Sequence, residues 1–224
     1  MGLGTVWARA ICVWDVVSID CKTLIIPTQS KTKYYSQKNG GMTMKMILTS
    51  TGLKSQLFRD FFLRNLKHDA SAAKVIFVPT AAIDDEAKSK LASCMDDLLK
   101  AGISPSNILT YDLDYLMSYE NGIAYDAIYF CGGSTKYLLE RINEIGFAPV
   151  LSRLLSDGQF FVGVSAGSKI CGDNYPDNLG YLHRNIELHS DTGSPCGKVD
   201  WQGTIFLTDT QAMFVDGDDW EIYG

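Results

Sequence analysis

The chain has 224 residues, of which 46% are hydrophobic and 21% are charged, and this balance is typical of a globular protein with one sizeable core. The net charge of −6 argues against a nucleic-acid groove or an anionic membrane surface as the main partner, and no apolar run is long enough for a transmembrane helix. The six cysteines lack the spacing of a zinc site or a disulfide framework. We therefore expect most of them to be buried as free thiols and the protein to be cytoplasmic. We expect no metal or other cofactor.

The first 43 residues differ in charge from the rest of the chain. They carry five basic and two acidic side chains, a net of +3, which leaves −9 for the remainder. Arg9 precedes an apolar stretch, as in a signal peptide, but Asp15 and Asp20 interrupt that stretch and no small-residue cleavage pattern follows. We therefore predict that residues 1–43 are a poorly ordered, dispensable extension, such as a start codon assigned too far upstream would produce. The alternative is a hairpin or targeting segment that packs on the domain at 44–224.

From residue 44 onward, short apolar runs alternate with amphipathic patterns. Strands are predicted at KMILTS, KVIFVPT, NILTYDL, DAIYFCGG and QFFVGVSAG, and helices at LKSQLFRDFFLRNLKH, DDEAKSKLASCMDDLLKAG and STKYLLERINEIG. Continuous apolar runs are typical of strands buried on both faces. The alternation predicts a three-layer α/β sandwich with a mostly parallel central sheet, in which ligands bind beyond the carboxyl ends of the strands. Three later runs, NIELHSD, GTIFLTD and QAMFVDG, are expected to finish or flank this sheet.

One predicted strand ends at Ser165, between Gly163 and Gly167. This Gly-x-Ser-x-Gly spacing is that of a nucleophile elbow, in which a strand turns sharply into a helix and presents the serine above the sheet. Small neighbours are needed because the strand and the helix approach closely, and the amide of Ala166 would then face a developing oxyanion. The alternative is a tight glycine turn that contains a serine by chance.

A second glycine turn, Gly132-Gly133, ends another apolar run directly before a predicted helix. Its amides would supply a second oxyanion donor, because glycine lets a substrate carbonyl approach the backbone. The alternatives are a phosphate-binding turn or close packing alone.

A general base would have to come from three histidines. His68 ends a charged helix and His183 lies in a predicted loop after LGYL, so we expect both to be solvated. His189 ends a strand-like run after the serine, near the same edge of the sheet, and this position favours a general base over a structural role.

The stretches CGGST, GVSAGSKI, IELHSD and TIFLTDTQAMFV together resemble peptidase family S51, the peptidase E (dipeptidase E-like) serine hydrolases. The resemblance covers about residues 44–224, and the Gly-x-Ser-Ala-Gly stretch is its most specific part. It implies the flavodoxin-like fold of the class I glutamine amidotransferases, with Ser165 as the nucleophile and His189 as the general base. Gly133 and Ala166 would offer the oxyanion amides. Characterised members cleave small peptides after an N-terminal aspartate, and a neighbouring branch degrades cyanophycin.

Two local features depart from the family's pattern. The family usually has Gly-Gly-Asn where this chain has Gly-Gly-Ser at 132–134, and a proline often precedes the histidine where this chain has Leu188. Because of the first departure, the sequence does not decide which side chain supports the oxyanion turn.

The acidic member of the triad is a further open point, because the family's acid lies between the serine and the histidine, and that segment is short here. Asp173 is the nearest acid in it, and Asp177 is a weaker candidate. Asp191, two residues past His189, resembles the His-x-Glu of the amidotransferases. We therefore predict either Asp191 or Asp173 as the acid.

Three functions are consistent with these features. The leading hypothesis is a cytosolic serine peptidase of the peptidase E type, a monomer or homodimer that cleaves a short peptide through an acyl-enzyme on Ser165, with no nucleic-acid or membrane partner. An esterase of the α/β-hydrolase fold shares the elbow, but 44–224 is short for that fold. A degenerate amidotransferase-like domain would instead bind a ligand or partner at the same strand ends.

Overall fold

The computed structural model describes residues 44–224, so the prediction of a poorly ordered extension at 1–43 lies outside the described residues. In chain order the strands are β1 (Lys45–Thr49), β2 (Val75–Val78), β3 (Ile108–Thr110), β4 (Ala127–Phe130), β5 (Phe160–Val164), β6 (Ile186–Leu188), β7 (Gly197–Lys198), β8 (Ile205–Leu207), β9 (Ala212–Asp216) and β10 (Asp219–Tyr223). The helices are α1 (Gln56–Asn65), α2 (Asp85–Lys100), α3 (Tyr119–Gly122), α4 (Thr135–Glu144), α5 (Phe147–Ser156) and α6 (Ala166–Lys169). Each strand predicted between residues 44 and 165 coincides with one of β1 to β5.

The central sheet has eight strands in the order β3-β2-β4-β5-β1-β9-β10-β7. The first five of these run parallel, and the last three continue the sheet antiparallel beyond β1. Alternate residues of β1 enter two different apolar cores. Met46 and Leu48 belong to the core that includes residues of α4 and α5, and Ile47 belongs to the core that includes residues of α1 and α2. The predicted three-layer α/β sandwich with a mostly parallel sheet is therefore confirmed.

β5 is an inner strand of the parallel part, and all five of its residues are buried. It pairs with β4 on one side and β1 on the other. Because these strands run in the same direction, their carboxyl ends meet at one edge of the sheet, and the segments after them lie close together there.

The two short strands β6 and β8 form a separate parallel pair in which Leu188 lies opposite Leu207. Their alternate residues are buried against the core, whereas Glu187 and Phe206 point away from it. Of the three late runs, the one at β9 therefore extends the main sheet, and the other two flank it.

Helix α5 was not predicted from the sequence. It starts after Gly146, whose φ of 72° ends the previous helix, and it carries Pro149 in its first turn, where no backbone N–H is needed. Within residues 44–224, Cys94, Cys131 and Cys171 are buried free thiols, and Cys196 is exposed. A search of the same residues finds no helix long and apolar enough to cross a membrane.

Candidate active site

Ser165 is the first residue after β5, and its backbone is strained. Its φ of 49° and ψ of −108° lie in a region that residues other than glycine rarely adopt. The amide of Ser165 donates to the carbonyl oxygen of Thr49 at 2.9 Å, which fixes the turn to the end of β1. α6 begins at the next residue, so the backbone has the strand–turn–helix form of a nucleophile elbow.

Among the glycines around this turn, Gly163 and Gly167 have no room for a side chain and Gly132 has little. A Cβ atom on Gly163 would lie 2.7 Å from the carbonyl oxygen of Gly167, and one on Gly167 would lie 2.4 Å from the carbonyl oxygen of Phe130. At Gly132 it would lie 3.1 Å from Cβ of Ser165. The close approach expected from the Gly-x-Ser-x-Gly spacing is thus present in the structure.

His189 lies beside the serine. Its Nε2 atom is 3.1 Å from Oγ of Ser165, within hydrogen-bond distance. Its Nδ1 atom is 2.7 Å from Oδ1 of Asp209, which follows β8. The side chains of His189 and Asp209 are 50% and 62% exposed, so this end of the arrangement is open to solvent. Ser165, His189 and Asp209 therefore form a connected Ser–His–Asp chain of hydrogen-bonding groups.

The acid beside His189 is neither of the two that the sequence predicted. Asp191 and Asp173 are both exposed, and within residues 44–224 His189 makes no hydrogen bond or ion pair with either of them. The physical reason is the parallel pairing of β6 with β8, because Leu188 lies opposite Leu207 and the residues that follow these two strands emerge side by side. Asp209 is thereby brought to the imidazole, although it is 20 residues away in sequence.

The turn at Gly132-Gly133 lies against the segment that follows β2. Gly133 has a φ of 139°, and a Cβ atom there would lie 2.0 Å from the carbonyl oxygen of Ala81. Throughout 44–224, the amides of Gly133 and Ala166 donate to no protein acceptor. They are the two amides that were predicted as oxyanion donors.

Ser134 occupies the position where the family usually has asparagine. Its hydroxyl accepts a hydrogen bond from the amide of Tyr137 and so caps the start of α4, and its own amide donates to the carbonyl oxygen of Ala81 at 2.7 Å. Serine and asparagine are about equally good at this capping position. The serine at this position therefore keeps the start of α4 capped.

A cleft of about 510 Å³ opens above these residues. Its lining includes Ser165, His189, Asp209 and Gly133, together with Lys54 and Lys90 from the side of α1 and α2. Both lysines already have acidic partners. Lys54 lies 3.2 Å from the buried carboxylate of Asp97, and Lys90 lies 2.7 Å from Glu86, whose hydrogen bond raises the pKa of the lysine. Residues 44–224 contain no group of three or more His, Cys, Asp or Glu side chains arranged to hold a metal ion.

The other two histidines lie away from this cleft. Nδ1 of His68 is 2.7 Å from Oδ1 of Asp126, and the histidine side chain is 62% exposed. His183 is exposed on the surface, as expected.

The model of peptidase family S51 matches residues 46–179, more than half of the chain. The chain belongs to peptidase family S51. This S51 protein is therefore a hydrolase of the peptidase class. The comparison with curated protein sequences gave no match.

Two solved structures resemble the S51 peptidase over most of its length. A candidate peptidase E protein from Listeria monocytogenes EGD-e has 17% sequence identity and a TM-score of 0.61, covering 80% of this chain and 98% of its own. A peptidase from an acI-B1 Actinobacterium has 14% identity and a TM-score of 0.57, covering 83% and 89%. At these identities the likeness concerns the fold, and it confirms the predicted flavodoxin-like architecture.

The family match includes Ser165 and the glycine turn of the S51 peptidase but ends before His189 and Asp209. Sequence reasoning missed Asp209, for which the sequence offers only a positional signal that becomes meaningful once the pairing of β6 with β8 is known. Asp209 stands two residues after the apolar run of β8, as His189 stands directly after that of β6. An acid and a histidine at the carboxyl ends of two parallel strands lie at the same edge.

Proposed function

We propose that this S51 peptidase is a serine-type peptidase of the peptidase E type, which hydrolyses a short peptide or amide through an acyl-enzyme on Ser165. The observation that carries the proposal is the chain of contacts from Oγ of Ser165 to His189 at 3.1 Å and from His189 to Asp209 at 2.7 Å. A nucleophile within reach of a base, which is itself oriented by a third group, is the arrangement that activates a serine.

In the first half of the reaction, Oγ of Ser165 attacks the substrate carbonyl carbon while Nε2 of His189 takes the hydroxyl proton. Asp209 accepts a hydrogen bond from Nδ1–H, which keeps the lone pair on Nε2 and stabilises the imidazolium. The carbonyl oxygen becomes an oxyanion that accepts hydrogen bonds from the amides of Gly133 and Ala166. When the tetrahedral intermediate collapses, the C–N bond breaks and His189 gives its proton to the leaving amine.

In the second half, a water molecule attacks the ester carbonyl of the acyl-enzyme. His189 takes a proton from this water and then returns one to Oγ of Ser165 as the acid product leaves. The volume of the cleft, about 510 Å³, is in the range of sites for small ligands and supports a short peptide as the substrate.

A fluorophosphonate probe tests this proposal, because only an activated serine reacts with it at a useful rate. We expect the wild-type protein to be labelled once per chain and Ser165→Ala to remain unlabelled. Ser190→Ala is the matched control, since Ser190 is next to His189 in sequence and its hydroxyl makes only a 3.5 Å contact with the carbonyl oxygen of Glu187.

A panel of dipeptides then defines the substrate. Hydrolysis by the wild-type protein and by Ser190→Ala, but not by Ser165→Ala, is the expected pattern. A folded wild-type protein that neither reacts with the probe nor cleaves any dipeptide would contradict the proposal and favour a binding domain.

A further inference from the structure

Three consecutive residues at the end of β1, Thr49-Ser50-Thr51, each contact one member of the Ser–His–Asp chain. The carbonyl oxygen of Thr49 accepts the amide hydrogen of Ser165 at 2.9 Å. The hydroxyl of Ser50 accepts the amide hydrogen of His189 at 3.1 Å. The hydroxyl of Thr51 donates to the carbonyl oxygen of Asp209 at 2.8 Å. We call these three residues the 49–51 segment.

Ser50 connects two parts of the β6–β8 pair through a single hydroxyl. While it accepts from the amide of His189, it donates to the carbonyl oxygen of Leu207 at 3.1 Å. The residue is 2% exposed, so water does not replace either bond readily. The backbone of His189 has a φ of 56°, which is unusual for a residue other than glycine, and the bond to Ser50 holds it in that conformation.

These contacts matter because the serine and the other two residues are carried by different sheets. Ser165 follows β5 of the central sheet, whereas His189 and Asp209 follow the separate β6–β8 pair. The distance of 3.1 Å between Oγ of Ser165 and Nε2 of His189 thus depends on how the two sheets are placed relative to each other. The 49–51 segment contacts both sides of that junction.

Hydrogen bonds to β5 and α2 fix the backbone next to the 49–51 segment. Oγ1 of Thr49 donates to the carbonyl oxygen of Gly163 at 3.2 Å and accepts the amide hydrogen of Gly52 at 2.8 Å. The carboxylate of Asp97, 3% exposed, accepts the amide hydrogen of Leu53 at 2.8 Å. The backbone on both sides of Ser50 and Thr51 therefore has little freedom to move.

We propose that Ser50 and Thr51 are positioning residues, whose hydroxyls set His189 and Asp209 at reacting distance from Ser165. This inference rests on the proposed function for its catalytic meaning, while its geometric content stands on the contacts alone. A misplacement of about 1 Å between reacting groups can lower a rate by roughly 100-fold.

The test compares Ser50→Ala and Thr51→Val with the wild-type protein, with Thr51→Ser as the variant that keeps the hydroxyl. The fluorophosphonate probe gives a maximal labelling rate and an apparent binding constant for each full-length protein. We expect Ser50→Ala and Thr51→Val to lower the maximal rate by roughly 10- to 100-fold with the binding constant changed less than about twofold. Thr51→Ser should restore most of the rate. Ser152→Ala, a change on α5 that removes a half-buried hydroxyl contact with Tyr181, should label like the wild-type protein.

Crystal structures of the same variants provide a measurement that does not require activity. We expect the separation between Ser165 Oγ and His189 Nε2 to exceed hydrogen-bond distance in Ser50→Ala, and to stay near the wild-type value in Thr51→Ser. If the variants keep both the wild-type separation and the labelling rate, the positioning role is wrong while the proposed function stands. If the wild-type protein is not labelled at all, the proposed function is wrong, and the measured separations still decide whether the segment positions these residues.

Discussion

Replacement of Asp209 by asparagine is the most direct test of the acid in the Ser–His–Asp chain. The change keeps the size of the side chain and removes the charge that lies 2.7 Å from Nδ1 of His189. An amide also fails to hold the imidazole reliably in the tautomer that leaves Nε2 free to accept a proton. Thr51 contacts the backbone of Asp209 rather than its side chain, so this contact survives the substitution.

The size of the effect follows from the distance and from the exposure. Two unit charges 2.7 Å apart interact by about 1.5 kcal/mol in water and by about 6 kcal/mol at an effective dielectric constant of 20. The two side chains are 50% and 62% exposed, so we expect a value toward the lower end, about 2 to 4 kcal/mol. At 1.36 kcal/mol for each factor of ten, Asp209→Asn should slow the labelling of Ser165 by roughly 30- to 1,000-fold.

The assay is the rate of fluorophosphonate labelling, with the melting temperature as a check on folding. Asp191→Asn and Asp173→Asn are matched controls, because both side chains are exposed and, within residues 44–224, neither forms a hydrogen bond or ion pair with His189. We expect both controls to stay within about twofold of the wild-type rate. A loss in either control as large as that in Asp209→Asn, or a rate for Asp209→Asn within twofold of wild type, would refute the assignment.

Three further predictions concern the elbow. Ser165→Gly should abolish labelling but raise the free energy of unfolding by about 1 kcal/mol, measured by urea denaturation, because glycine relieves the φ of 49°. Gly167→Val should lower that free energy by about 3 kcal/mol or prevent folding, since its Cβ would lie 2.4 Å from the carbonyl oxygen of Phe130; a variant as stable as the wild type would contradict the close packing. In a Cys196→Ser background, Ser165→Cys should be alkylated by iodoacetamide before Cys131 and Cys171, because burial raises the pKa of both of these thiols and His189 lies beside residue 165. Labelling of residue 165 no faster than that of Cys131 and Cys171, located by peptide mass, would contradict this prediction.

The part of the site that could be predicted is the part that local sequence encodes. The strand before Ser165 is buried on both faces, so it appears as a continuous apolar run. Gly163 and Gly167 appear because backbone atoms lie within 3 Å of where their side chains would be. Each of these signals lies within a few residues of the serine and needs no knowledge of the rest of the fold.

The acid could not be found in this way, because its position depends on a pairing between distant short strands. β6 and β8 have three residues each, too few for a periodic pattern that would reveal their parallel register. Proximity in sequence favoured Asp191, two residues from His189, over Asp209, which is 20 residues away. Similarly, Pro149 obscured α5, because a proline in the first turn of a helix resembles one in a loop.

The contacts of the 49–51 segment also bear on the order of events during synthesis. Thr51 and Asp209 are 158 residues apart, so at about 5 to 20 residues per second roughly 8 to 30 s pass between the translation of one and of the other. β1 likewise gains its second neighbour only when β9, at Ala212–Asp216, has been made. A nascent chain that has passed the Ser165 turn but has not reached residue 209 has neither Asp209 nor the strand that completes the pairing of β1. We expect no hydrolysis from a nascent chain in which Asp209 and β9 have not yet been made.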